Sequence, residues 1–222
     1  MSIKKCVKEP TVYRKKEEND FLVVAIYVDD LFVTGTSLRI IKQFKEDMSR
    51  RFEMSDLGKL TYYLGIEVIQ GMDGIRIKQE RYAQGILTDA GMGSCNSTYE
   101  PMEPGLSLSK AEKEKEIDAT RYRRTIGCLR YLLHTRPDLS FSVGVLSRYM
   151  QSPRVSHRQA IKHVLRYLKG TMSFGLFFKR DGSRRVTGYS DSSHNIDIDN
   201  GRSTTGHVFY YGSSPITWTT QK

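Results

Sequence analysis

Two adjacent carboxylates, Asp29 and Asp30, stand inside the stretch FLVVAIYVDDLFV, residues 21–33, whose other members are uncharged and mostly apolar. An unpaired charge is expensive to bury, so the pair must either escape to solvent on a turn or meet a cation. VVAIYV and LFVTG are short β-rich runs on either side, which makes Asp29-Asp30 the tip of a tight hairpin. Alternate residues of a strand face opposite sides. One carboxylate can then reach into a site while its neighbour supports it. Hard cations such as Mg²⁺ take carboxylate oxygens together with substrate phosphates, and two-metal phosphoryl transfer holds its ions about 3.5–4 Å apart. Surface turns also carry such dipeptides, so the pair alone decides nothing.

A second chemistry is electrostatic. The formal charge is +10, and residues 121–180 contain thirteen Arg or Lys against one acid, Asp138. That region carries +12 and the remainder −2, which points to a polyanionic partner. Within it Arg158, Lys162, Arg166 and Lys169 recur at helical spacing, opposite Ile161, Val164, Leu165 and Leu168. Such a helix can pack with one face and contact phosphates with the other, or merely present a solvated face. His157 and His163 have no metal-ligand spacing and read as surface or packing residues. Cys6, Cys95 and Cys128 are too scattered for a disulfide framework or a zinc site. A reducing intracellular setting follows from them. No stretch is long and apolar enough to span a bilayer, and the N-terminus lacks a secretion-signal core.

These groups need elements to position them. With 38% hydrophobic and 27% charged residues, the chain reads as globular. Residues 1–85 alternate strands with one helix, SLRIIKQFKEDMSRRF. There Ser37 is the expected N-cap and Leu38, Ile41, Phe44, Met48 and Phe52 the apolar stripe. Pairs Glu46–Arg50 and Asp47–Arg51 are expected on the wet side. LTYYLGIEVIQ, MDG and IRIKQ form another hairpin. Residues from about 80 to 170 are helical, apart from a loose connector over 93–117. A helix over 118–135 presents Tyr122, Ile126, Leu129 and Leu133, and Pro137 opens the next, to about Met150. Ser156 and Gln159 suggest a capping box for a last helix that Gly170 closes. From Thr171 the chain returns to strands and stops at Gln221-Lys222 with no helix to cover them, which reads as a cut.

The hairpin Tyr27-Val28-Asp29-Asp30 and the block Phe52-Glu53-Met54-Ser55-Asp56-Leu57-Gly58-Lys59-Leu60-Thr61-Tyr62-Tyr63-Leu64-Gly65-Ile66-Glu67-Val68 resemble those of reverse transcriptases. The resemblance is closest to the Pol polyproteins of copia-type LTR retrotransposons. PMEP (101–104), YRRTIGCLRYLLHTRPDLSFSV (122–143) and HVLRYLKGT (163–171) extend it over nearly the whole chain. It implies an α+β fold: a partial polymerase palm over 1–85, a basic helical thumb or connection over 86–175, and the first strands of an RNase H-like domain over 176–222. Asp29 and Asp30 would bind catalytic Mg²⁺. Tyr27 and Val28 would lie beside the primer end and incoming dNTP, and Tyr63, Leu64 and Gly65 would form the primer-grip turn. Arg158, Lys162, Arg166 and Lys169 would hold an RNA/DNA template–primer. GYSDSSHN (188–195), GRSTTGHVFYYG (201–212) and SPITW (214–218) resemble RNase H strands, with Asp191 as that site's first metal-binding carboxylate.

The resemblance also implies what is lacking. A palm needs another Asp on a neighbouring strand, which in the family lies upstream together with the fingers. Asp20 is nine residues from Asp29 on the same strand, about 30 Å at 3.3 Å per residue, and cannot share its metal. Asp197 and Asp199 fall in a connecting loop and substitute poorly for the missing RNase H acids. The expected function is a reverse transcriptase fragment, inactive alone unless missing Pol segments join it in trans. The alternative is a non-catalytic, element-derived nucleic-acid-binding protein that uses the basic helices.

Overall fold

The computed structural model describes residues 3–193 and 197–221; His194 and Asn195 of the RNase H-like stretch, and Lys222, lie outside them. All strand pairs of the named sheets are antiparallel, and five α-helices accompany three sheets among the described residues, an α+β architecture. The chain divides into two compact units, residues 1–59 and 60–222.

The first unit is a four-stranded meander, β1 (Lys4–Lys5), β2 (Val12–Glu17), β3 (Asp20–Tyr27) and β4 (Asp30–Gly35), followed by α1 (Leu38–Ser49). Strand β3 reads as continuously apolar, yet only alternate residues, Leu22 and Val24, are fully buried, where they form a core with Ile40 and Phe44 of α1. Ser37 caps α1 as expected, its Oγ accepting from the Arg39 amide at 3.2 Å. The buried stripe, however, is Ile40 and Phe44 backed by Ile41 and Met48. Leu38 in the first turn is 75% exposed and Phe52 lies past the helix end. The expected wet-side ion pairs give way to Lys45 with Asp56 at 2.8 Å and to Arg39 with Asp20 at 3.6 Å and Glu17 at 3.9 Å. Strand β2, VYRKKE, is too charged to read as a strand from pattern; its pairing with β3 makes it one.

In the second unit, β5 (Tyr62–Tyr63), β6 (Ile66–Gln70) and β7 (Gly74–Lys78) run in sequence order and are joined by β8 (Gly175–Lys179). β8 thus belongs to the sheet of the LTYYLGIEV hairpin and not with the strands that follow it. Helices α2 (Glu80–Asp89), α3 (Ala119–Leu132), α4 (Ser140–Ser147) and α5 (Val155–Gly170) bury one core of Ile86, Leu87, Ile126, Leu129, Val143 and Val164 among others. In α3 Tyr122, Ile126 and Leu129 are buried as expected, but the last buried residue is Leu132, one position before the Leu133 that spacing suggested. Asp118 caps α3 by accepting from the Thr120 and Arg121 amides. Pro137 opens a 3₁₀ turn, Pro137–Leu139, that runs into α4.

The last sheet orders β9 (Val186–Ser192), β10 (Thr205–Tyr211) and β11 (Ser214–Gln221) as β11-β10-β9. It is not left uncovered, as expected from the absence of a following helix. The Trp218 indole of β11 donates to the Leu133 carbonyl at 3.1 Å, and Thr220 Oγ1 lies 3.3 Å from Ser140 Oγ. α4, from earlier in the chain, supplies the cover.

Candidate functional site

The acidic hairpin closes in two residues. Tyr27 pairs with Asp30, so Val28 and Asp29 form the turn itself. Val28 sits at φ +51° and is 80% exposed. A β-branched residue in the left-handed region is strained by about 1–3 kcal/mol. Such strain persists where neighbouring structure dictates it, and here the β3–β4 register does. Both aspartates and Tyr27 are exposed, so the apolar run meets its carboxylates by carrying them out to solvent. Asp20 is held at the far end of β3, accepting from Thr36 Oγ1 at 2.9 Å. Among the described residues no three Asp, Glu, His or Cys side chains gather into a group able to hold a metal. Asp29 and Asp30 offer the hard oxygen donors Mg²⁺ prefers, but by themselves do not complete a two-ion site.

In the second unit Tyr63 pairs with Ile66 across the turn Leu64-Gly65, and both turn residues have positive φ, +47° and +79°. Two left-handed residues in succession match the right-handed twist of a two-residue hairpin. Tyr131 of α3 fixes this turn. Its hydroxyl donates to the Leu64 carbonyl, and a Cβ at Gly65 would meet its ring at 3.5 Å. Tyr131 also stacks edge-on with Tyr82 of α2, with centroids 5.2 Å apart. Burial and a hydrogen bond with Cys128 push the Tyr82 phenol up to about 12. Sequence spacing gave no role to Tyr131 or Tyr82; an aromatic one residue off the buried stripe of α3 was the available signal.

The basic face of α5 forms as spaced, with one difference in use. Arg158 and Lys162 are exposed, Lys169 is half-buried, and none of the three has an ion-pair partner among the described residues. Arg166 is instead engaged, its Nε donating to the Asn96 carbonyl at 2.9 Å while its own carbonyl accepts from the Thr98 amide. These bonds show that residues 93–117 are no loose connector but a strap laid along α5. His163 Nε2 meets the Glu100 carbonyl at 3.0 Å, and the Ser156 amide donates to Glu114 Oε2 at 2.8 Å. A Cβ at Gly170 would approach Ser97 Cβ to 3.0 Å, so that glycine serves close approach to the strap.

The expected Ser156–Gln159 box is replaced by His157, which is fully buried. Its Nδ1 accepts from the Arg154 amide at 2.9 Å, which leaves Nε2 as the donor to the Ser109 carbonyl at 2.7 Å. The ring stacks on Tyr149 at 4.0 Å. Burial holds its pKa below the usual histidine value, opposed by the Ser109 hydrogen bond and by Glu114. Arg136, within the run HTRPDL (134–139), carries no sequence signal of its burial either. It is buried and donates to Asp138, to the Thr171 carbonyl at 2.9 Å and to Thr171 Oγ1 at 2.7 Å.

Asp191 lies exposed on β9 opposite Gly206. Asp197 is buried and paired with Arg148 at 3.3 Å, and Asp199 accepts from the Lys110 amide at 3.0 Å. Both loop acids are thus engaged within the second unit. No helix among the described residues is long and apolar enough to cross a membrane.

The reverse transcriptase (RNA-dependent DNA polymerase) family matches residues 2–104. The chain is 34% identical over 216 residues to the retrovirus-related Pol polyprotein from transposon RE1 of Arabidopsis thaliana, covering 97% of this chain and 15% of that protein. It is 33% identical over 225 residues to the corresponding polyprotein from transposon TNT 1-94 of Nicotiana tabacum, covering 17% of it. An uncharacterized mitochondrial protein of Arabidopsis thaliana is 34% identical over 203 residues, 90% of this chain and 83% of that protein. The chain thus spans less than a fifth of the length of the two polyproteins. No solved structure matches it. The exposed Tyr-Val-Asp-Asp turn, the Leu-Gly hairpin and these similarities together show that the chain belongs to the reverse transcriptase family of copia-type retrotransposon Pol polyproteins.

Proposed function

We propose that these 222 residues are the C-terminal part of a reverse transcriptase palm, a basic thumb or connection and the opening strands of an RNase H-like domain. The observation that carries this is the two-residue hairpin holding Asp29 and Asp30 out to solvent beside a strained Val28. In the longer polyprotein, a hard divalent cation such as Mg²⁺ supplies charge neutralisation and orientation for nucleotidyl transfer from dNTP. Asp29 and Asp30 are the residues here that would hold it, and Tyr27 and Val28 would border the primer end. Tyr63, Leu64 and Gly65, fixed by Tyr131, would support the primer strand. Asp191 would serve the nuclease site.

On this reading the chain by itself extends no primer, because a two-ion site needs more carboxylate ligands than Asp29 and Asp30 supply. The test incubates the chain with an RNA template, a DNA primer, dNTP and Mg²⁺. No extension is expected; extension that Asp29→Asn abolishes overturns the proposal. The same assay with the preceding Pol segment added in trans is expected to restore synthesis.

The second reading, a non-catalytic nucleic-acid-binding protein, is favoured by Arg158, Lys162 and Lys169, cations without ion-pair partners among the described residues. Both readings share an RNA–DNA duplex partner and an intracellular setting, cytoplasmic or nuclear. They part on whether catalysis returns when the upstream segment is supplied.

A further inference from the structure

A groove of about 620 Å³ runs between α2 and α3, lined by residues outside the basic face of α5 and outside both acidic sites. Its floor is Ile86, Ala90 and Cys128, and its rim carries Tyr62, Arg81 and Arg121. The acids that also line it are already engaged. Asp118 caps α3, and Asp89 pairs with Arg124 at 3.0 Å. Arg81 has no ion pair among the described residues, and the Arg121 guanidinium has one long contact, to the Ala90 carbonyl at 3.5 Å. The groove therefore presents a net cationic rim. Tyr62 adds an aromatic side chain that is 52% exposed.

Gly85 is the second observation. It lies inside α2 and lines the groove, and a Cβ placed there would have no atom within 4 Å. Its φ lies outside the left-handed region, as befits a residue inside a helix. Glycine weakens a helix interior relative to alanine, and neither packing nor backbone geometry requires it here. What it does preserve is open space in the groove wall.

We propose that this groove holds one unpaired nucleotide, its base against Tyr62 and over Gly85 and its phosphate on Arg81 and Arg121. A flat ring with an adjoining anion matches an aromatic wall, an apolar floor and a guanidinium rim. The volume lies within the range of small-ligand sites. The inference rests on the nucleic-acid-binding reading of the chain but concerns a single-stranded segment, distinct from duplex contact by α5.

The test measures fluorescence anisotropy of a labelled oligothymidylate of about ten nucleotides and, separately, of an RNA–DNA duplex. Gly85→Leu fills the groove without removing a charge. It is expected to weaken single-strand binding roughly tenfold, as loss of one stacked base does, with duplex affinity unchanged and urea stability no lower than the parent's. The combined Arg158→Ala, Lys162→Ala, Lys169→Ala variant is expected to show the reverse pattern. Undiminished duplex binding there removes the α5 reading alone. Single-strand affinity unchanged by Gly85→Leu, or falling together with duplex affinity, overturns the groove proposal. Competition by free thymidine 5′-monophosphate would assign the site to a lone nucleotide; binding of the oligothymidylate without such competition assigns it to a nucleotide within a strand.

Discussion

Val28, at φ +51°, adopts a backbone conformation that asparagine accepts more readily than a β-branched residue. Val28→Asn should therefore stabilise the first unit by about 1 kcal/mol, read as a higher urea midpoint, although the turn would no longer offer an apolar side chain at its tip. His157 makes the opposite kind of statement. Its pKa is depressed in the folded chain from an ordinary value of 6.5, so below that pH the unfolded chain binds the extra proton first. The stability it contributes is fully present above about pH 6.5 and declines as the pH falls, until the folded ring also protonates. Thermal melts between pH 7 and about pH 5 should fall more steeply for the parent than for His157→Gln. Arg136→Ala should destabilise the second unit by about 3 kcal/mol, because it strips Asp138 and Thr171 of a buried partner.

At the scale of elements, period and punctuation exposed most of the helices. Ser37, Tyr122, Ile126, Leu129 and Pro137 all mark in sequence what they do in the structure. The failures are those of local reasoning. Strand β2 owes its state to β3, and the stripe of α1 is rotated because the sheet beneath it selects Ile40 over Leu38. Residues 93–117 look like a linker because Gly, Pro, Ser and charge dominate them. Their partners on α5 are distant in sequence and carry no local signal. Native-state hydrogen exchange distinguishes the two descriptions. The amides of Thr98, Lys110 and Ile117 bond to Arg166, Asp199 and Pro153, and should exchange far more slowly than those of a solvated linker.

For the whole molecule, the two cores share no residue, so the units hold separate hydrophobic reserves. The chemistry divides the same way. The Tyr-Val-Asp-Asp hairpin belongs to the first unit, whereas the Leu-Gly turn, the basic face of α5 and Asp191 belong to the second. Motif order carries no sign of this partition, because β8 returns to the sheet that β5 begins at Tyr62. Duplex binding through α5 should be strongly salt-dependent. Removing Arg158, Lys162 and Lys169 should reduce the slope of log affinity against log salt by about 2–3.

The pairing of β7 with β8, Gly74 opposite Lys179 through Lys78 opposite Gly175, has a kinetic corollary. Residues 79–174 must be made and closed into a loop before the pair can zip, and loop closure precedes any reward from the contacts it allows. During synthesis on the ribosome the β5–β7 sheet therefore waits with one edge of β7 unpaired, an invitation to pair with another chain. Nascent chains halted before residue 175 should aggregate, and those halted beyond residue 179 should not.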